Sequence, residues 1–384
     1  MPDRIYLDWN ATTPLRREAK EAMAAAWNLC GNPSSVHAEG REARRLIEEA
    51  RARVAGALAA GPRNVVFTSG GTEANVLALR PGLHIRAGAP VERLVVSAIE
   101  HASVLAGGQF RAEAISTVGV THSGILDLEQ LRAALHGKPP ALVSIMLANN
   151  ETGALQPAAE AAEIVHAAGG VLHVDAIQAL GRIPVEIGAL GADLVTLSAH
   201  KIGGPKGVGA VVLAEGLEGL GALLRGGGQE QGRRAGTENV AGIVGFGAAA
   251  LAAMAALSAD AVRLEGLRNQ LERGLRQAPE ITVFSEDVPR LSNTVLFTVP
   301  GLKAETAVIG FDLAGIAVSS GSACSSGKVQ PSHVLAAMGF GPDLAQGAVR
   351  LSLGWSTSEK DVNRCLEAWR KLSGTLLREG RNTA

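Results

Sequence analysis

The segment Ser198-Ala199-His200-Lys201-Ile202-Gly203-Gly204 directly follows an apolar run, residues 194–197, that predicts a buried strand. Ligands of open α/β sheets bind at the carboxyl ends of such strands, so Lys201 lies where a ligand would be expected. A lysine that loses its water there also loses its proton more readily, and the neutral amine can bond to an aldehyde. A surface lysine before a turn explains the same residue taken alone. The choice between the two therefore depends on the residues at the ends of the other strands.

Composition and charge indicate a globular chain and give no sign of a partner such as nucleic acid. The 384 residues are 47% hydrophobic and 19% charged, and the formal net charge is −1. Because no run of like charge is present, we expect neither nucleic acid nor a membrane as a partner. Cys30, Cys324 and Cys365 lack metal-ligand spacing, so no metal site is predicted and the thiols are expected to be reduced in the cytoplasm. We also expect neither a cleavable leader nor a long apolar span.

Apolar runs alternate with helical patterns through the first 258 residues. This alternation predicts right-handed crossovers and a largely parallel sheet covered on both faces. Beyond about Ser258 the pattern changes to helices with strand-like runs at 281–284, 294–299, 316–318 and 349–353, which predicts a smaller α+β domain. We assign residues 15–258 to a large domain, and residues 1–14 with 259–384 to a small one. The strands predicted for the large domain are 65–68, 93–96, 141–147, 171–174, 194–197 and 208–213.

Polar residues and glycines follow these large-domain strands. Gly71 and Thr72 come after the first, where a glycine lets the backbone approach a ligand and a helix start offers free N–H groups to a phosphate. Each polar residue alone is more often a cap or a satisfied core group, but a parallel sheet brings the carboxyl ends of its strands to one edge. The later strand ends carry His101, Asn150, Asp175 with Gln178, and Ser198 with His200 and Lys201.

Pyridoxal phosphate is the ligand that needs this set of side chains. Its aldehyde takes a lysine, and its ring nitrogen takes a carboxylate that keeps the nitrogen protonated. Its phenolic oxygen takes amide donors, and its phosphate takes glycine, threonine and a helix start. A nucleotide site is disfavoured, because neither Gly-x-x-x-x-Gly-Lys-Ser/Thr nor Gly-x-Gly-x-x-Gly follows the first strands. The sequence therefore predicts a pyridoxal-phosphate enzyme.

Two features of the small domain carry further chemistry. Cys324 lies in a polar loop, SSGSACSSG, whereas Cys30 and Cys365 lie in turn or helical contexts that suit structural thiols. Arg350 interrupts the apolar run 348–353, so it must meet an anion. A substrate carboxylate held by the guanidinium fork is one candidate. An internal ion pair with an acid of the small domain is the other.

These motifs together resemble cysteine desulfurases of the NifS/IscS kind, within the class V aminotransferase group of pyridoxal-phosphate enzymes. The resemblance runs from about Tyr6 to Trp355, and the SSGSACSS loop separates this branch from its transaminase relatives. Val76 stands where these enzymes often have a second asparagine, and the chain ends earlier than many members, which leaves the sulfur acceptor open. The matching segments are LDWNATTP, GNPSSVHAEGREA, FTSGGTEAN, SAIEH, ANNETG, HVDAIQ, SAHKIGGPKG, RAGTENVAGIVG, SSGSACSSG and VRLSLG.

The resemblance implies pyridoxal-phosphate fold type I, an α/β fold whose large domain has a mostly parallel seven-stranded sheet beside a smaller α+β domain. It also implies a homodimer with the cofactor between the two domains. The roles carried over are Lys201 for the aldehyde, Asp175 for the ring nitrogen, His101 stacked on the ring, Asn150 and Gln178 for the phenolic oxygen, Gly71, Thr72, Ser198 and His200 for the phosphate, Thr237 for the phosphate of the other subunit, Arg350 with Asn32 for the substrate carboxylate, and Cys324 for the sulfur.

The implied reaction converts L-cysteine to L-alanine and leaves a persulfide on Cys324, for iron–sulfur cluster or other thio-cofactor assembly. Lys201 moves the α-proton, and a base such as His101 activates the thiol. The implied partner is a sulfur-acceptor protein such as an iron–sulfur scaffold. A selenocysteine lyase, a class V transaminase and a non-catalytic assembly scaffold remain as alternatives. The presence of Lys201 and Asp175 argues against the scaffold, which needs no lysine of this kind.

Overall fold

A seven-stranded sheet forms the centre of the part of the chain that the computed structural model describes, residues 4–86, 88–278, 280–321 and 331–381. Several of its strands are buried on both faces, which is why they appear in the sequence as unbroken apolar runs. Its strands in chain order are β2 (Val65–Thr68), β4 (Arg93–Ser97), β5 (Ile115–Val118), β6 (Ala141–Met146), β7 (Val171–Asp175), β8 (Leu194–Ser198) and β9 (Gly209–Leu213). The remaining strands are β1 (Ile5–Tyr6), β3 (His84–Ile85), β10 (Leu217–Glu218), β11 (Thr282–Val283), β12 (Thr294–Thr298), β13 (Ile316–Ala317), β14 (Ser319–Ser320) and β15 (Val349–Ser352).

The order across the large sheet is β2-β9-β8-β7-β6-β4-β5. Among these described strands β9 runs in the direction opposite to the other six, so the carboxyl ends of those six meet at one edge. The predicted α/β fold with a mostly parallel sheet is confirmed. No strand was predicted at β5, because this edge strand exposes Ser116 and Thr117 and buries only Val118, so it has no apolar run.

Helices cover both faces of this sheet, and their ends follow local capping rules. Asp127 caps α5 by accepting hydrogen bonds from the Glu129 and Gln130 N–H groups at 3.0 Å each. The helices are α1 (Arg17–Trp27), α2 (Ala38–Gly56), α3 (Gly71–Ala78), α4 (Ala102–Leu105), α5 (Leu128–Leu135), α6 (Ala158–Ala167), α7 (Val240–Leu275), α8 (Ala304–Leu313), α9 (His333–Ala337), α10 (Pro342–Gln346) and α11 (Glu359–Arg381).

Helix α7 corrects one expectation. It contains an apolar window with a mean hydropathy of 2.1, long enough to cross a membrane, so the expectation of no long apolar span is wrong. About two thirds of that window, 67%, is buried inside the protein, where α7 packs against α1 and α2. The length and apolarity of α7 therefore belong to a core helix. The helix also continues without a break through Ser258, where the predicted domain boundary would fall, so that boundary stays a prediction.

A second, antiparallel sheet of order β11-β12-β15-β14 lies at the centre of a smaller part of the described chain. Its core includes Phe297, Phe311 and Trp369, with the Trp369 ring 5.0 Å from the Phe297 ring between centroids. Strand β1 pairs in parallel with β13, with Ile5 opposite Ile316. The N-terminal segment therefore packs with this smaller part of the molecule. The segment after β1 then crosses to the carboxyl edge of the large sheet.

Candidate active site

A cavity of about 660 Å³ lies where the carboxyl ends of the large-sheet strands face the second sheet and α8. The structure brings together at this cavity residues that follow the five parallel strands predicted at 65–68, 93–96, 141–147, 171–174 and 194–197. Helix α8 contributes Glu305, Val308 and Ile309 to the opposite wall. The predicted site residues that line the cavity are Gly71, Thr72, His101, Asn150, Asp175, Gln178, Ser198, His200, Lys201 and Arg350.

Three predicted site residues do not line it. Asn32 and Thr237 are exposed and lie outside the cavity of their own chain. The Asn32 side chain instead accepts a hydrogen bond from the Ser34 N–H at 2.9 Å. Cys324 lies outside the described residues. The roles assigned to these three residues stay predictions.

Lys201 ends the short helical turn Ala199–Lys201 that comes after β8. Its Nζ donates hydrogen bonds to the carbonyl oxygens of Asn10, at 2.6 Å, and Ala11, at 2.8 Å. Burial lowers the pKa of Lys201 to about 7, and the charges of Arg350 and Arg182 act in the same direction. A substantial fraction of the amine is therefore neutral near pH 7, which is the form that reacts with an aldehyde.

Asp175 ends β7 and is buried. Its Oδ1 accepts a hydrogen bond from the Ile177 N–H at 3.0 Å, and its Oδ2 accepts one from Asn75 Nδ2 at 2.9 Å. Burial raises the pKa of Asp175 above its ordinary value, although these hydrogen bonds and the protonated forms of His101 and Lys201 act in the opposite direction. The carboxyl group is thus fixed in orientation, with its charge state decided by a balance of opposing effects.

His101 precedes α4 and caps it. Its Nδ1 accepts a hydrogen bond from the Ser103 N–H at 3.2 Å and lies 2.8 Å from Ser103 Oγ. Because a backbone N–H can only donate, Nδ1 carries no proton and the proton of the neutral ring is on Nε2. Burial lowers the pKa of His101, which favours this neutral ring.

The start of α3 and the end of β8 form a cradle that fits a phosphate. A Cβ on Gly71 would lie 2.4 Å from Ile177 Cδ1 and 3.3 Å from Ser198 Cβ, so glycine keeps this space free. The Ser198 hydroxyl is buried and has no hydrogen-bond partner among the described residues. An unpaired buried donor beside the free N–H groups of a helix start is the arrangement that an anion satisfies.

Arg350 on β15 is already paired. Its guanidinium donates to Asp8 Oδ1 at 2.8 Å and to the Asn150 carbonyl at 2.9 Å. Its Nε is buried and has no partner among the described residues. The internal ion pair, one of the two alternatives for this arginine, is therefore present, with an acid of the N-terminal segment. Binding of a substrate carboxylate stays a prediction for the same side chain.

Several side chains that hold the site together were not predicted from the sequence. The carbonyl of Asn10 receives hydrogen bonds from Lys201 Nζ and from Gln178 Nε2. Asn75 bonds to Asp175 from within α3, and Asp8 pairs with Arg350. Asn75 and Asp8 lie inside the segments TEAN and LDWN, and a polar residue within a helix or strand pattern was the available signal for them.

Comparisons with known proteins agree with these features. Residues 5–365 match the class-V aminotransferase family. A cysteine desulfurase IscS of Dictyoglomus turgidum is 39% identical over 377 residues, 97% of this chain and 95% of that protein. A cysteine desulfurase of Cereibacter sphaeroides is 44% identical over 373 residues, 95% of this chain and 94% of that protein.

Two solved structures share the fold over nearly the whole chain. The X-ray structure of a NifS-like protein from Rickettsia africae has a TM-score of 0.88 at 37% identity and covers 97% of this chain and 100% of its own. The structure of SspA in complex with cysteine has a TM-score of 0.75 at 28% identity, covering 91% of this chain and 98% of its own. The resemblance predicted from the sequence is confirmed. The chain belongs to the class-V aminotransferase family, and its similarity within that family is to cysteine desulfurases.

Proposed function

We propose that this protein is a cysteine desulfurase, which uses pyridoxal phosphate to convert L-cysteine to L-alanine. The observation that carries the proposal is the meeting of Lys201, Asp175 and the Gly71–Ser198 cradle around one cavity. It is supported by relatives called cysteine desulfurases at 39% and 44% identity over nearly the full length of this chain. Membership of the class-V aminotransferase family implies the cofactor.

Each side chain of the cavity has a task toward the cofactor. The cradle of Gly71, Thr72, Ser198 and His200 holds the phosphate. Burial lowers the pKa of His200 to about 4, so its ring is neutral there. When bound, pyridoxal phosphate supplies an electron sink for the carbon that bears the substrate amine. Lys201 bonds to the aldehyde, Asp175 pairs with the ring nitrogen, and His101 stacks on the ring face. Asn150 and Gln178 donate to the phenolic oxygen.

Lys201 also serves as the proton carrier of the reaction. An amine with a pKa of about 7 accepts and returns a proton with little bias at neutral pH, which is the property of an efficient general base and acid. With its amine neutral, Lys201 would remove the proton from Cα of the substrate. Arg350, with its unpaired buried Nε, orients the substrate carboxylate.

Cys324 receives the sulfur. Its thiolate attacks the sulfur of the substrate, and the bond between the two sulfurs forms as the bond between Cβ and sulfur breaks. The electron pair left on Cβ takes up the proton that the Cys324 thiol lost on ionisation, by way of solvent, Lys201 returns the first proton to Cα, and alanine leaves. The persulfide on Cys324 then passes its outer sulfur to an acceptor, for which an iron–sulfur scaffold protein is our candidate.

The active protein in this proposal is a cytoplasmic homodimer. Thr237 is exposed and outside the cavity of its own chain, as required of a residue that reaches the phosphate of a second subunit. Trp27 and Val36 are 70% and 87% exposed, so large apolar side chains are available for burial in a subunit interface. Both features support the dimer, in which each cavity is completed by the other chain.

The test is turnover with L-cysteine. The purified protein loaded with pyridoxal phosphate and supplied with a thiol reductant should form alanine and sulfide in equal amounts. Lys201→Ala should lose this activity, whereas Lys138→Ala, which changes an exposed lysine far from the cavity, should keep it. Conversion of the cofactor to its amine form with release of a keto acid would identify a transaminase instead. Turnover of selenocysteine alone would identify a selenocysteine lyase.

A further inference from the structure

Four fully buried side chains form a continuous chain of hydrogen bonds that ends at Asp175. Ser144 Oγ lies 2.8 Å from His173 Nδ1, and His173 Nε2 lies 3.0 Å from Thr196 Oγ1. Thr196 Oγ1 donates to Asn75 Oδ1 at 2.6 Å, and Asn75 Nδ2 donates to Asp175 Oδ2 at 2.9 Å. All four side chains before Asp175 have zero exposure. We call Ser144, His173, Thr196 and Asn75 the buried relay.

The buried relay draws on three neighbouring strands and one helix. Ser144 on β6 is opposite His173 on β7, and Asp175 on β7 is opposite Thr196 on β8. His173 and Asp175 are two residues apart in one strand and so share a face of the sheet, the face on which α3 places Asn75. Polar side chains buried together in an otherwise apolar sheet are costly unless each is hydrogen-bonded, and here each one is.

Ionised Asp175 forces every hydrogen bond of the buried relay into one direction. A carboxylate only accepts, so the Asn75 amide must turn its NH₂ toward Asp175 and its oxygen toward Thr196. The Thr196 proton is then committed to Asn75, and Thr196 can only accept from His173 Nε2–H. Neutral His173 therefore has a bare Nδ1, which accepts from Ser144. Burial lowers the pKa of His173 to about 3, which keeps its ring neutral.

A branch from Asn75 reaches His101. Asn75 Nδ2 also donates to Ser103 Oγ at 2.9 Å, and Ser103 Oγ lies 2.8 Å from His101 Nδ1. Since Nδ1 of His101 carries no proton, the Ser103 hydroxyl donates to it. The orientation of one amide, that of Asn75, thus sets the hydrogen bonding of both Asp175 and His101.

We propose that the buried relay is a positioning device that holds Asp175 ionised and turned toward the cavity, so that Asp175 keeps the cofactor ring nitrogen protonated. The inference rests on the role proposed above for Asp175. Successive donors that all point toward one carboxylate polarise one another and oppose the effect of its burial. The charged or titratable groups facing Asp175 are His101, Lys201 and buried Glu100, and burial raises the pKa of Glu100 well above its usual value.

The experiment breaks the buried relay at Thr196 without changing its shape. Thr196→Val removes both the donor and the acceptor, and Thr196→Ser keeps both. Thr298→Val is the matched control, because Thr298 is a fully buried strand threonine whose hydroxyl has no partner among the described residues. One readout is the tautomer of His173 in the apoprotein, from ¹⁵N NMR of histidine-labelled protein assigned with a His173→Gln variant. The other is the dissociation constant of pyridoxal phosphate.

The wild type, Thr196→Ser and Thr298→Val should all show His173 protonated on Nε2 and share one dissociation constant for pyridoxal phosphate. Thr196→Val should show a mixture of His173 tautomers and bind the cofactor about threefold to tenfold more weakly. A His173 proton on Nδ1 in the wild type would overturn the proposal. Cofactor binding by Thr196→Val that equals that of Thr298→Val would also overturn it.

The NMR readout needs no catalysis, so it separates this inference from the proposed desulfurase activity. If Thr196→Val is not recovered as a folded protein, Ser144→Ala replaces it. That variant removes only the first donor of the buried relay, so His173 should stay protonated on Nε2 through Thr196 while pyridoxal phosphate binds more weakly than to Thr298→Val. A cofactor affinity equal to that of Thr298→Val, or a His173 proton on Nδ1, would contradict the proposal.

Discussion

Lys201 illustrates how surroundings change an ordinary amine. Two carbonyl oxygens hold its Nζ, and burial together with the charges of Arg350 and Arg182 lowers its pKa to about 7. A free lysine has a pKa of about 10.4. Since the neutral amine is the reactive form, this shift makes Lys201 a usable nucleophile and base at physiological pH.

The shift predicts how the apoprotein captures its cofactor. The capture rate, followed by the change in visible absorbance after mixing with pyridoxal phosphate, should rise with pH through about 7 and then level off. Arg350→Gln removes a cation that disfavours the protonated amine, so the midpoint should move to higher pH. Lys201→Arg should show no capture. A midpoint near 10 in the wild type would contradict the account of this lysine.

At the residue scale, the sequence located the groups that come after strand ends and missed those that support them. Lys201 and Asp175 could be predicted because one principle, the meeting of strand ends at one edge, assembles them. Asn75 and Asp8 could not be given roles, because their partners Asp175 and Arg350 are 100 and 342 residues away in the chain. A pattern within one segment carries no information about contacts of that range.

Among the elements, β9 carries a second testable constraint. Gly209 begins this strand, pairs with Thr68 and Ser198, and lies behind the phosphate cradle. A Cβ at Gly209 would lie 2.5 Å from the Gly70 carbonyl carbon and 2.8 Å from the Leu197 carbonyl oxygen. These are backbone atoms of two neighbouring elements, so they cannot move aside as the end of a side chain can.

Gly209→Ala should therefore separate β9 from the Gly70 turn and destabilise the protein by about 1–3 kcal/mol. It should also weaken pyridoxal phosphate binding. Gly266→Ala is the control, because Gly266 lies within α7 with no atom near the position of its added Cβ, and it should stabilise the protein by about 0.5–1 kcal/mol. Urea unfolding measures both changes. A Gly209→Ala protein as stable as the wild type would show that the strand relaxes freely.

Strands could be predicted from the sequence where burial on both faces makes their apolar run continuous. They could not be predicted where exposed residues interrupt that run. The inner strands β6, β7 and β8 are buried throughout and could be located from the sequence. Edge strand β5 exposes half of its residues and has no such pattern. Helix α7 combines an apolar first half with an amphipathic second half, so its continuity across Ser258 is set by packing against α1, α2 and α11.

On the scale of the whole molecule, the loop that carries Thr237 is tied to the phosphate cradle of its own chain. Arg234 forms an ion pair with Glu73 of α3 at 2.9 Å. Buried Glu230 accepts hydrogen bonds from Arg51 and from the Phe67 N–H at 2.8 Å. The loop is thus fixed at its base while Thr237 remains exposed.

The proposed dimer predicts complementation between two defective chains. Lys201→Ala and Thr237→Ala should each have little activity, but their heterodimer should contain one cavity with both residues intact. Random exchange makes half of the dimers heterodimers, so activity should recover to about one quarter of the wild-type value. The measurement is alanine formation after mixing, with subunit exchange verified by mass spectrometry of the intact dimers. Absence of recovery after full exchange would count against a shared site.

The most direct test of the central claim tracks the sulfur atom itself. The protein loaded with pyridoxal phosphate is exposed to L-cysteine labelled with heavy sulfur, alkylated, digested and examined by mass spectrometry. The account predicts one labelled sulfur on the peptide that contains Cys324, none on those of Cys30 and Cys365, and alanine as the product. Alanine formation with Cys324 unmodified, or label on Cys30, would contradict the proposed transfer of sulfur to Cys324.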